Sequence, residues 1–111
     1  MPTPLTHKKC TPCEGGTPPL SHEKATELLK QIPKWKITDD GKKISRTFTF
    51  ANFVEAVDFI NKVKDIAEGE NHHPDLRLHS YKNVTVDLST HAIKGLSEND
   101  FIVAAKIDAL S

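Results

Sequence analysis

Two hydrophobic periods stand side by side in Ile44-Ser45-Arg46-Thr47-Phe48-Thr49-Phe50 and the run Asn52-Phe53-Val54-Glu55-Ala56-Val57-Asp58-Phe59-Ile60-Asn61-Lys62-Val63-Lys64-Asp65-Ile66-Ala67-Glu68. In the first, Ile44, Phe48 and Phe50 share one face and Ser45, Thr47 and Thr49 the other, the period of a half-buried strand. Arg46 interrupts the apolar face. In the second, Phe53, Ala56, Val57, Ile60, Val63 and Ala67 recur at steps of three and four. That predicts an amphipathic helix over 52–68, capped by Asn52 and ending near Gly69. A strand with one apolar face needs cover, and the helix that follows it can supply that cover.

Working outward, the same alternation of helix and strand continues. Upstream, Ser21 is a good N-cap for a short helix over 21–31, which Pro33 stops. Asp39-Asp40-Gly41 lies between Trp35-Lys36-Ile37 and the Ile44 strand and reads as a hairpin turn. Downstream, extended segments at about 76–81 and 84–90 flank a turn expected at Lys82-Asn83. Val84, Val86 and Leu88 face one way there. Ser97 then opens a last helix with Asp100 at its third position, in the manner of a capping box, and Val103, Ile107 and Leu110 form its stripe. The order helix, hairpin, helix, hairpin, helix predicts an α+β, two-layer domain: a four-stranded antiparallel sheet with three helices on one face. The opposite sheet face is polar, either solvated or paired with another subunit.

The chain has 111 residues, enough for a single domain. Fifteen Lys and Arg balance fifteen Asp and Glu, so the formal net charge is zero. That argues against nucleic-acid binding by bulk electrostatics. No apolar run approaches the ~20 residues of a membrane helix, and no apolar signal segment or Arg-rich leader is visible, so a cytoplasmic protein is expected. Five of the seven prolines and two of the five glycines fall in residues 1–19. This composition predicts a flexible arm there, with the domain proper over 20–111. Cys10-Thr11-Pro12-Cys13 in that arm lacks the second ligand pair of a structural zinc site and the strand-to-helix setting of a redox motif, so it reads as two unpaired thiols.

Six histidines are present, and four of them (His72, His73, His79, His91) lie within twenty residues. His72 and His73 follow the long helix in a loop, and His91 sits just past the fourth strand. Pro74 holds His73 extended, so the adjacent rings point to opposite sides and do different work. His79 reads as a surface residue, and Trp35 as packing.

Glu68, His72-His73-Pro74, Tyr81, Ser89-Thr90-His91 and Asp100, with the stretch Gly95 to Asp100 leading into the last helix, resemble the pterin-4a-carbinolamine dehydratases over roughly residues 20–110. The resemblance implies dehydration of a 4a-hydroxytetrahydropterin to the quinonoid dihydropterin, which regenerates the pterin after an aromatic amino acid hydroxylase has used it. By position, His72 and His91 become an acid/base pair, and His73 a residue that holds the pterin and shares acid duty. Glu68, Pro74, Ser89, Thr90 and Asp100 become supporting or substrate-binding residues. Asp100 has an equally good structural reading as a capping residue. Imidazole, with an unperturbed pKa of ~6.5, suits both proton donation and removal at neutral pH. No metal and no cofactor is expected, the pterin being the substrate. Homodimers or homotetramers are expected. Two positions depart from the family pattern: Asn71 where an acid is frequent, and Leu76 where a Trp is frequent, which bears on substrate preference.

Two rival readings come from other classes. Three imidazoles with Glu68 are a candidate zinc or copper site, although no H-E-x-x-H spacing is present. The fold is also compatible with a binding module, since the family resembles an animal protein that serves as a dimerisation cofactor for a homeodomain transcription factor. A related pterin, such as one in molybdenum-cofactor metabolism, is a third possibility.

Overall fold

The computed structural model describes residues 4–10 and 18–110. Three helices, α1 (His22–Leu29), α2 (Phe53–Glu70) and α3 (Glu98–Asp108), alternate with strands β1 (Lys36–Ile37), β2 (Ile44–Thr49), β3 (Asp75–His79) and β4 (Asn83–Leu88). Short 3-10 turns occupy Leu5–His7 and His91–Ile93. The strands form one antiparallel sheet in the order β1-β2-β4-β3. This is the α+β architecture that the alternating periods predict.

Register explains the core. Ile44 pairs with Leu88, Arg46 with Val86 and Phe48 with Val84. Leu76 and Leu78 of β3 pair with Val86 and Val84. On this face Ala56, Phe59 and Val63 of α2 and Phe101, Ile102 and Val103 of α3 join Ile44, Phe48, Val84, Val86 and Leu88 in one buried cluster with Leu78 packed against it, while Leu76 stays partly exposed. Phe59 binds two strand-side rings, with centroids 4.6 Å from Phe48 and 4.9 Å from Phe50. Arg46 stays on this apolar face because Asp108, at the end of α3, takes its Nη1 at 2.6 Å. The same carboxylate oxygen accepts Trp35 Nε1–H at 2.8 Å. The opposite face is a polar ladder, with Thr47 bonded to Thr85 and Thr49 to Asn83.

Caps set the helix starts. Ser21 Oγ accepts the amide of Lys24, and Asn52 Oδ1 that of Glu55. Three details differ from the sequence reading. Helix α2 runs past Gly69 to Glu70 and ends on Asn71, which adopts the left-handed conformation (φ 51°). Asn tolerates that region through its short polar side chain, so it replaces glycine as the stop. The second hairpin turns at Ser80 and Tyr81, both with positive φ, and Asn83 already belongs to β4. Helix α3 is buried nearly all round rather than along one stripe, because it lies between the sheet, the other helices and the N-terminal segment.

That segment is the main departure. A flexible arm is expected over 1–19, yet Pro4 to Cys10 lies docked on the domain. Leu5 is 1% exposed and belongs to the core cluster. Its amide donates to Gln31 Oε1 at 3.0 Å, Lys8 pairs with Glu98 at 2.8 Å, and the Cys10 amide donates to Glu70 Oε1 at 2.9 Å. Local composition cannot report such docking, because all three partners are distant in sequence. Residues 11–17, and with them Cys13, lie outside the described residues.

Candidate active site

Three chain segments converge at one end of the sheet. The left-handed stop at Asn71 turns the chain sharply out of α2, and His72 and His73 follow at once. The end of β4 leads into Ser89, Thr90 and the turn that begins with His91. That turn is pinched shut by the Thr90–Gly95 bridge, with Thr90 N–H to Gly95 O at 2.8 Å. Glycine is required there, since a Cβ on Gly95 would stand 2.8 Å from Pro19 Cβ. Cys10 arrives from the docked N-terminal segment. Between these segments lies an open cavity of about 460 Å³ lined by His72, His73 and His91, with Ser89 and Thr90 on the strand side and Cys10 and Glu70 opposite in the chain.

The histidines are held differently. His72 Nε2 lies 2.6 Å from Asp100 Oδ1, its side chain 12% exposed and that of Asp100 fully buried. The second oxygen of Asp100 accepts the Ser97 amide and the Thr90 hydroxyl, each at 2.9 Å, and Thr90 Oγ1 also meets Ser97 Oγ at 2.7 Å. Asp100 therefore closes the first turn of α3 and at the same time meets a ring nitrogen of His72. An acceptor-only carboxylate facing Nε2 fixes the proton on that nitrogen and leaves Nδ1 as the atom for proton exchange. His73 instead pairs with Glu68 near the surface, Nε2 to Oε2 at 2.5 Å with side chains 56% and 71% exposed. Glu68 thus orients His73.

The other expected residues take distinct places. Ser89 lines the cavity. Thr90 lines it too, but its hydroxyl is engaged with Asp100 and Ser97, so its part is to position that pair. Pro74 and Asp100 do not line the cavity; one sets the backbone after His73 and the other stands behind His72. Cys10, Glu70, Asn71, Ala92 and Asn99 line it without having been singled out as site residues. For Glu70 and Asn71 the signal was adjacency to His72. His79 bonds Thr85 on the polar sheet face, and not the cavity. Among the described residues, no group of three or more His, Cys, Asp or Glu is arranged to hold a metal ion.

Burial, and then the neighbouring Glu70 charge, push the Cys10 thiol up to about 12. Glu70 moves the other way. Burial opposes its charge, but hydrogen bonds from the Cys10 amide and Lys106 outweigh that and hold its carboxyl below the usual range.

Residues 18–110 match the family model for pterin 4 alpha carbinolamine dehydratase. The chain belongs to the pterin 4 alpha carbinolamine dehydratase family. Its relatives in this family include proteins of Methylococcus capsulatus, 50% identical over 96% of this chain and 93% of theirs, and of Halorhodospira halophila, 48% identical over 96% of each. Both are provisionally named pterin-4-alpha-carbinolamine dehydratase. A crystal structure from Brucella melitensis, described as a transcriptional coactivator/pterin dehydratase, superposes with a TM-score of 0.78 at 32% identity, covering 83% of this chain and 97% of that one. A pterin dehydratase-like protein described as a RuBisCO assembly factor shares the fold at TM-score 0.59 and 19% identity, over 69% of this chain. The family model thus spans all of the described residues except 4–10. No helix among the described residues is long and apolar enough to cross a membrane.

Proposed function

We propose that this chain dehydrates a 4a-hydroxytetrahydropterin to the quinonoid dihydropterin and water by histidine acid/base catalysis. The observation that carries this reading is the cavity that His72, His73 and His91 line together, with Nε2 of His72 2.6 Å from the buried Asp100 carboxylate.

The chemistry follows from the groups present. The C4a–O bond breaks, and hydroxide is a poor leaving group, so an acid must deliver a proton to that oxygen as it departs as water. The N5–H bond breaks as well, its electron pair forming the C4a=N5 double bond, so a base must take that proton. Two imidazoles in opposite protonation states perform both transfers near neutral pH. His72 and His91 take these roles, with Nδ1 of His72 the exchanging atom. His73, steadied by Glu68, binds and orients the ring. Ser89 supplies polar contact for a flat heterocycle rich in donors and acceptors. The reaction calls for no cofactor, and an aromatic amino acid hydroxylase supplies the substrate, consistent with a cytoplasmic oligomeric enzyme of pterin recycling.

A direct assay tests it. A hydroxylase generates the 4a-hydroxypterin in situ, and quinonoid product is followed by absorbance with and without the protein. Acceleration proportional to protein concentration supports the reading, and an unchanged rate overturns it. A second reading, a regulatory or dimerisation partner of another protein without catalysis, draws on the double description of the Brucella relative. It predicts the unchanged rate together with stable association with a regulator.

A further inference from the structure

The turn that carries His91 separates two hollows. Ser89, Thr90 and His91 line the catalytic cavity, and the same three residues line a second groove of about 380 Å³. The far wall of that groove comes from the β1–β2 hairpin, with Asp40, Lys42 and Lys43, and from Lys94 at the end of the His91 turn. Both walls are fixed by the backbone. Ile44 pairs with Leu88, so one step further along the two strands Lys43 comes abreast of Ser89. Lys94 is held in the left-handed conformation (φ 54°) between the 3-10 turn and Gly95.

The charge of this groove is one-sided in a chain whose net charge is zero. None of Lys42, Lys43 and Lys94 forms a salt bridge among the described residues. Asp40 is the one acid in the lining, and its carboxylate is taken up locally by the Thr38 hydroxyl at 2.7 Å and the Lys42 amide at 3.0 Å. Three ammonium groups against one carboxylate leave an excess of positive charge, and a concave surface concentrates its field. Such a site accepts an anion, lysine being a point-charge partner for phosphate and carboxylate alike.

We propose that the groove of Lys42, Lys43 and Lys94 is a subsite for an anionic group carried on the side chain of the pterin, with the ring seated beside His72 and His91 and the tail passing over the His91 turn. This inference rests on the pterin reading above and adds to it the class of substrate: a pterin whose tail ends in a phosphomonoester or a carboxylate.

Fluorescence anisotropy of oxidised pterins on the full chain tests it with four probes: tail-less pterin, neopterin, neopterin monophosphate and pteroylglutamate. At low ionic strength the monophosphate, the pteroylglutamate or both bind about tenfold tighter than neopterin, a gain abolished by added salt. Which of the two gains identifies the anion as phosphate or carboxylate. In the variant Lys42→Gln/Lys43→Gln/Lys94→Gln that gain is lost, while neopterin and tail-less pterin bind as to wild type. Equal affinity for neutral and anionic tails in wild type, or a gain that survives the triple substitution, overturns the subsite and leaves the pterin reading standing. Absence of binding by all four probes overturns both.

Discussion

One oxygen of Asp100 lies 2.6 Å from Nε2 of His72, while the other accepts the amide of Ser97 and the hydroxyl of Thr90. A single buried carboxylate thus joins the start of the last helix to the loop after the second. Asp100→Asn keeps the volume but can turn an N–H toward Nε2, favouring the wrong tautomer. The expected result is a kcat lower by roughly 100-fold or more with KM nearly unchanged. Asp100→Ala, which also strands Thr90 and Ser97, additionally destabilises the fold by about 1–3 kcal/mol in thermal unfolding. Wild-type kcat in the Asn variant would exclude a positioning role.

The three cavity histidines separate by kinetics. His72→Ala and His91→Ala each lower kcat by about 10²–10⁴, the range for loss of a general acid or base. His73→Ala, removing a half-exposed ring paired with Glu68, raises KM more than it lowers kcat. Circular dichroism of each variant checks that the fold is kept, and retention of wild-type kcat by both His72→Ala and His91→Ala defeats the acid/base assignment.

Leu5 reports whether the N-terminal segment is part of the fold. Truncating a side chain this buried, as in Leu5→Ala, costs about 2–5 kcal/mol. The melting temperature then falls by roughly 8 °C or more. A shift under about 2 °C would mean that the segment is not seated on α3 in solution.

Cys10 should be a sluggish thiol. With its proton held to about 12, alkylation at pH 8 runs on the order of 10³-fold slower than for a free cysteine. Read in a Cys13→Ser background, Glu70→Gln speeds the reaction, because it removes a negative charge that opposes the thiolate. Rapid labelling of Cys10 in wild type contradicts this.

Glu70 links stability to pH. Its carboxyl is more acidic folded than its ordinary value of 4.5. The ionised form therefore stabilises the fold above that value, and the contribution fades as pH falls through the lower folded value. Glu70→Gln accordingly lowers the melting temperature at pH 7, and its gap from wild type narrows below about pH 4. A gap independent of pH would assign the loss to packing alone.

The sequence disclosed whatever depends on local periodicity and on short spacing. The strand at Ile44, the helix from Asn52 and the capping role of Asp100 are written in alternation and cap chemistry within a few residues. His72, His73 and His91 were legible as a set, and the structure brings them to one cavity. What stayed hidden depends on distant partners. Glu68 meets His73 because α2 runs two residues past Glu68 and then turns through a left-handed Asn71, an end that glycine counting places too early. Arg46 looked like an interruption until Asp108, sixty-two residues away, was seen to receive it. Leu5 is one apolar residue among polar ones and carries no period at all.

The contact between Leu5 and α3 also orders events during synthesis. Lys8 and Glu98 are separated by ninety positions, a gap that takes a ribosome roughly 5–18 s to cross at typical rates of ~5–20 residues per second. Through that interval the segment lacks its seat on α3, although Gln31, the partner of the Leu5 amide, is made earlier. The wall it contributes around Cys10 can therefore close only after Glu98 and the start of α3 have been made.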